Sequence, residues 1–352
     1  MKDASLPQPS EAASRISGRR RWLLHLIVLT IMLVLAAGAI LVADIYLHHK
    51  LAQYVAVNVW GYRGTVLGRK QPNEKRILMI GPSTVFSVGV PPEDALPAQL
   101  ERLLQPRVPY PIHVVNVGLP GEDAFAYKAD LEDFRFLKPD AVIFYGDSNP
   151  FGAALPLVLR RLSPVFRLTG YYPIIDTALR EKAAAMLHGG DVNGAYGNDK
   201  VVFRPGMAGR AGAAALGGAA DVAEQMHRVL GALTVTEEMP PVVVRTCDTE
   251  FTGLCDAINN AVTYARSLNL PTLVVNQPYK SDTQVRAQQA VQAMLRERHG
   301  NDGQVRYLDA GWAIDLKDPE LCFDGEHLSK SGNLKMAEYL VDASLWLLGA
   351  PR

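Results

Sequence analysis

From residue 75 onward, two hydrophobic rhythms alternate along the chain. Residues 76–80, 112–117, 141–145 and 272–276 are short, nearly continuous apolar runs bounded by Gly, Pro, Asn or Asp. Such runs suit strands buried on both faces, as in a parallel sheet. Between them lie amphipathic stretches at helical spacing: 94–104, 123–137, 254–268 and 283–298. A last helix is predicted over 331–348, with Leu334, Met336, Leu340 and Leu345 turned inward. This order predicts an α/β fold of three layers, α/β/α, around a mainly parallel sheet, with the apolar stripes serving as core packing.

Residues 151–240 break the rhythm. They hold few strand signals and a Gly/Ala-rich stretch at 206–220, so they read as an insertion, partly helical and partly flexible, over the carboxyl edge of the sheet. A lid, a docking surface and a disordered loop are all compatible with that composition.

Near the amino end, residues 22–43 contain no Asp, Glu, Lys or Arg, and His25 is the mild interruption. A helix of about 20 such residues spans a bilayer core of about 30 Å. The run is too long for a signal-peptide core and no clear small-x-small site follows it. Arg19, Arg20 and Arg21 flank its start, so the positive-inside bias keeps residues 1–21 cytoplasmic and exports the rest. The expected plan is a cytoplasmic tail (1–21), a transmembrane helix (22–46), a juxtamembrane connector (47–74) and a domain (75–352) with its insertion. His48 and His49 then fall at the membrane interface.

Charge narrows the partners. The chain has 36 Lys plus Arg against 36 Asp plus Glu, which gives no electrostatic case for nucleic acid. Of its three cysteines, Cys247 and Cys255 are close enough in sequence to bridge in an oxidising compartment, and Cys322 reads as a small packed residue. No zinc-type Cys/His spacing, Walker-type loop or dinucleotide fingerprint is present, so no metal or cofactor is expected.

Candidate chemistry lies at opposite ends of the β/α alternation. Near the carboxyl end the chain reads Phe323-Asp324-Gly325-Glu326-His327-Leu328-Ser329, and after the first strand it reads Gly81-Pro82-Ser83-Thr84. A serine hydroxyl is a poor nucleophile at neutral pH and needs a base, which in turn needs a group fixing its tautomer. His327 is the candidate base and Asp324 its orienter, across a tight turn that Gly325 eases. Ser83 stands just past a buried strand, where open α/β sheets place their sites. No Gly-x-Ser-x-Gly elbow surrounds it, because Val85 occupies the second glycine's place.

These blocks resemble the SGNH (GDSL-like) hydrolases, a family of serine esterases. The similarity runs from about residue 57 to 347 and has four parts. They are a lead-in, Asn58-Val59-Trp60-Gly61-Tyr62-Arg63-Gly64, like that of membrane-anchored members; the Ser83 block with Phe86 and Gly89-Val90; Asn116-Val117-Gly118; and Asp324-x-x-His327. The resemblance implies a flavodoxin-like sheet and an oxyanion hole built from the amides of Ser83 and Gly118 plus one asparagine side chain. Glycine at 118 would leave that amide open to substrate. In the third block, Gly146-Asp147-Ser148-Asn149, strict alignment puts Ser148 in the asparagine's place, whereas one extra loop residue puts Asn149 there. Asn149 is preferred because it offers the same amide donor.

The expected activity is hydrolysis of carboxylic esters on an acylated small molecule, glycan or lipid, by a membrane-anchored enzyme. Two alternatives use the same residues: an O-acyltransferase acting on an exported polysaccharide, and a catalytically weak binding or scaffold protein.

Overall fold

The computed structural model describes residues 11–51, 57–146, 163–175, 247 and 250–350. The chain divides into two units, Met1–Leu47 and His48–Arg352. The first is occupied by helix α1, Glu11–Leu51, which runs on into the start of the second and exceeds the expected 22–46 at both ends. Within its segment Arg20–Lys50 an 18-residue stretch reaches a mean hydropathy of 3.0, and the helix is long and apolar enough to cross a membrane. Trp22, Leu23, Met32 and Leu35 are exposed along it, as residues facing lipid would be.

The second unit is built on a five-stranded parallel sheet in the order β2-β1-β3-β4-β5, with β1 Lys75–Ile80, β2 Ile112–Asn116, β3 Ala141–Tyr145, β4 Thr272–Val275 and β5 Val305–Leu308. Successive side chains point to opposite faces, and both faces are covered. Leu78, Ile80, Val115, Val142, Phe144 and Val274 share one core with helices α4 (Tyr127–Asp133), α6 (Thr252–Ser267) and α7 (Asp282–His299). Ile77, Met79, Val114, Ile143, Tyr145 and Val275 share the other with α3 (Leu96–Leu104) and α8 (Lys330–Leu347). The continuous apolar runs are therefore two interleaved sets, one per layer. Each fully buried Leu, Ile or Val contributes roughly 1.5–3 kcal/mol relative to exposure.

Several expectations need adjustment. Strand β5 has no counterpart in the sequence reading: it lies at the sheet edge, all four residues are only half-buried, and Arg306 interrupts its apolar pattern by stacking on Trp346. Leu334 is exposed rather than inward, because two residues along a helix turn about 200° away from the Met336–Leu340 face. Within the stretch read as a connector (47–74), Val57, Tyr62 and Arg63 are buried. His48 is also buried, with its ring nitrogens 2.9 and 2.8 Å from the carbonyl oxygens of Val57 and Tyr172. Cys247 and Cys255 form a disulfide, and Cys322 is a free, buried thiol. Of the insertion, residues 163–175 are described. They form the short helix α5, Pro164–Thr169, capped by the Ser163 hydroxyl, and Tyr172 donates its amide to Val59 at 2.9 Å. The remainder of 151–240 lies outside the described residues.

At the amino edge of the sheet, Asp140 accepts from Lys70 (2.5 Å), the Arg76 amide (2.8 Å) and Lys75 (3.1 Å). Burial works to raise the Asp140 pKa, and these donors more than reverse it, holding the carboxyl below the ordinary range. Glu74, paired with Arg76 at 2.5 Å, is lowered in the same way. An unfolded chain then binds more protons than the folded one as pH drops below about 4. Their stabilisation is complete above the unfolded value and is lost as pH falls through the folded pKa. Thermal denaturation between pH 7 and 2.5 should show a steep acid decline in Tm that is shallower in Asp140→Asn; parallel curves for the two proteins would rule out this contribution.

Candidate active site

Ser83 begins a four-residue helix, α2 (Ser83–Phe86), just past the carboxyl end of β1. Val85 and Phe86 both donate their amides to Pro82, which tightens the turn and lifts Ser83 to the sheet's upper edge. Gly118 follows β2, the neighbouring strand, and packs directly on this helix: a Cβ there would stand 2.3 Å from the Phe86 nitrogen. Close backbone approach thus explains the glycine, more than an open path to substrate. Its amide donates to the Asn116 side chain at 3.1 Å, and the Asn116 amide group in turn donates to Val85 at 2.9 Å. Ser148 and Asn149 lie outside the described residues.

The Asp324–His327 segment is a turn whose ends are joined by the antiparallel bridge Cys322↔Leu328. One carboxylate oxygen of Asp324 accepts from the amides of Glu326 (2.9 Å) and His327 (2.7 Å), and the other lies 2.6 Å from His327 Nδ1. The three-residue spacing has a local cause: the aspartate caps its own turn and, with its free oxygen, holds the ring it brings back. Burial opposes ionisation of Asp324, but the bonds from the His327 amide and ring lower its pKa overall. The other ring nitrogen, Nε2, lies 3.0 Å from Ser83 Oγ. Ser83, His327 and Asp324, spread over most of the chain, are therefore in continuous contact. With Nδ1–H directed at the carboxylate, Nε2 is free to accept a proton from the serine; Phe323 stacks near the ring, 6.2 Å between centroids.

Residues to which the sequence reading gave no role hold these parts together. Ser87, the left-handed cap of α2 (φ 59°), is 2% exposed and places its hydroxyl 3.2 Å from Asn333 Oδ1. Asn333, wholly buried in the first turn of α8, donates from Nδ2 to the carbonyls of Leu328 and Ser329, each at 3.0 Å. This buried stitch ties helix α2, which carries Ser83, to the loop carrying His327. Arg63, from the lead-in, donates to the carbonyls of Phe86, Ser87 (2.8 Å) and Val90 (2.5 Å), lies 4.2 Å over the Phe86 ring, and pairs its amide with Asn116 at 2.9 Å. Burial pushes its pKa down to about 10, which leaves it charged at neutral pH. Gln277, after β4, accepts from Thr84 at 3.3 Å, and its buried Nε2 has no partner among the described residues. An arginine inside an aromatic lead-in was a visible signal for Arg63; Ser87, Gln277 and Asn333 carry none. Among the described residues, no group of three or more His, Cys, Asp or Glu is placed to hold a metal.

No family model matches the chain, and no curated protein does. Solved structures similar to it are lipolytic and esterase proteins. A family 3 carbohydrate esterase from Clostridium thermocellum overlaps 79% of this chain and 100% of its own at 13% identity and a TM-score of 0.41. A lipolytic protein of the G-D-S-L family from Desulfitobacterium hafniense DCB-2 overlaps 76% and 98%, with 16% identity and a TM-score of 0.37. A lipase/acylhydrolase from Enterococcus faecalis overlaps 76% and 94%, with 12% identity and a TM-score of 0.38.

Proposed function

We propose that the chain is a serine esterase of the SGNH type, held at a membrane by α1, with residues 1–21 cytoplasmic and the domain exported. The observation that carries this reading is the unbroken contact from Asp324 through His327 to Ser83. In the proposed cycle, Ser83 Oγ attacks the ester carbonyl as its proton passes to His327 Nε2. Asp324 stabilises the imidazolium that forms. The proton then goes to the leaving alkoxide, and the acyl group remains on Ser83. Water, deprotonated by His327, attacks this acyl-enzyme, and the carboxylate leaves as the serine is reprotonated.

The developing oxyanion takes the amides of Ser83 and Gly118, with Asn149 or Ser148 as third donor. Gly118 N–H must then turn from, or share with, the Asn116 oxygen it now meets. Losing one such donor typically costs about 10²–10³ in turnover, so the amide's partner in the resting site matters to rate. The disulfide Cys247–Cys255 accords with an exported domain.

The direct test is covalent. A fluorophosphonate should label the full-length protein in detergent at Ser83, identified by peptide mapping, and the same protein should hydrolyse nitrophenyl acetate. Absence of label at Ser83 in a folded sample would sink the esterase reading.

A further inference from the structure

Two aromatic side chains at the site's edge of the sheet have no part in the chemistry above. Tyr279 follows β4 and Trp312 follows β5, so both lie at the carboxyl ends of the strands, as Ser83 does. In the sheet order these strands are two and three places from β1, about 10–14 Å at the usual ~4.8 Å spacing. Trp312 is 77% exposed and yet held in place. It meets Tyr279 edge-on, with centroids 5.1 Å apart and planes at 68°. Tyr279 is itself fixed: its amide donates to Gly311 at 2.9 Å, its hydroxyl to Asp309 at 3.1 Å, and its ring fills the space where a Cβ on Gly311 would stand. The next residue, Lys280, pairs at 2.7 Å with Glu326, the neighbour of His327. This ion pair joins the aromatic shelf to the catalytic loop.

The surroundings select the occupant. An acyl chain is bound by a contiguous apolar patch, whereas this shelf has polar neighbours: exposed Asp309 accepts from the Tyr279 hydroxyl, and the Lys280–Glu326 pair lies beside its Tyr279 support. A single fixed aromatic face within a charged rim suits a ligand with one apolar face and hydrogen-bonding edges. A pyranose ring is such a ligand: its axial C–H bonds pack on the indole while its hydroxyls reach the carboxylates and the ammonium.

Resting on the reading of Ser83 as an ester-cleaving nucleophile, we infer that Trp312 and Tyr279 form a sugar-binding subsite, and that the ester is carried by a glycan lying from this shelf to Ser83.

Calorimetric titration of the full-length protein in dodecyldimethylamine oxide, a detergent without a sugar headgroup, tests this with chitotetraose and cellotetraose as probes. At least one should bind, with affinity reduced about tenfold in Trp312→Ala, as expected for loss of one aromatic contact, and largely kept in Trp312→Phe. Because Trp312 is exposed, folding of the variants is not at issue. Equal affinities in wild type and Trp312→Ala, or no binding of either sugar to wild type, would overturn the inference. So would a drop in kcat/KM for nitrophenyl laurate in Trp312→Ala with sugar binding unchanged, which would assign the shelf to acyl chains. The titration involves no turnover, so Trp312-dependent sugar binding by a protein inert toward nitrophenyl acetate would support the subsite while removing the esterase reading.

Discussion

Replacing His327 by alanine should lower kcat for nitrophenyl acetate by about 10⁴–10⁶-fold, with little change in Tm. The imidazole side chain is 18% exposed at the rim of the domain and lies in no core cluster, so its removal leaves packing largely intact. What is lost is the acceptor 3.0 Å from Ser83 Oγ. Without it the hydroxyl must ionise unaided, far from its pKa at neutral pH. Ser83→Ala should cost about as much, and the double variant no more than either single one, because groups that act on one proton transfer are lost together. Asp324→Asn keeps the turn's shape but offers Nδ1 a poorer acceptor, and a decline of about 10³–10⁴-fold is expected. Steady-state kinetics on the four variants decide the matter. Independent, multiplying losses, or a His327→Ala enzyme within tenfold of wild type, would mean that the three side chains are neighbours without being a catalytic unit.

The second large effect belongs to Arg63, which touches none of the reacting atoms. Its guanidinium serves three carbonyls at the far end of the nucleophile's helix, those of Phe86, Ser87 and Val90, in a place that is only 3% exposed. In Arg63→Leu, each of these oxygens loses a charged donor with little water to replace it, at about 1–3 kcal/mol per group. Even allowing for relaxation and non-additivity, roughly 3 kcal/mol of destabilisation follows, or a Tm lower by about 5 °C for a unit the size of His48–Arg352. The kcat of the folded fraction should fall too, because a four-residue helix cannot hold Ser83 when its last turn is released. Arg63→Lys keeps the charge but not the fork, so it should recover part of the Tm and less of the rate. Calorimetry with fluorophosphonate titration of active sites separates the two effects. A Tm within 2 °C of wild type would show that the guanidinium is incidental to the turn.

How far the fold could be read from the chain depended on burial. Strands β1 to β4 announced themselves because both faces are covered, so nearly every residue is apolar. The edge strand β5 did not, since a half-buried Val-Arg-Tyr-Leu looks like many loops. The candidate side chains stood out because the proposed chemistry asks for particular groups at particular spacings: with Asp324 and His327 three apart, one carboxylate caps the turn and holds the ring. Ser87 and Asn333 were not, since a serine and an asparagine linked across 246 positions leave no local pattern. Gly118 was noticed for a reason the structure replaces, its contact with Phe86.

That long-range stitch also orders events in time. The serine's segment emerges early in synthesis, while the residues that hold the imidazole over it belong to the last helix and the turn before it. A growing or clipped polypeptide without residues 324–347 has the Ser83 hydroxyl but not the imidazole that lies 3.0 Å from it. On the proposed reading, competence to cleave an ester therefore waits until the last helix and the turn before it have folded against the serine's segment.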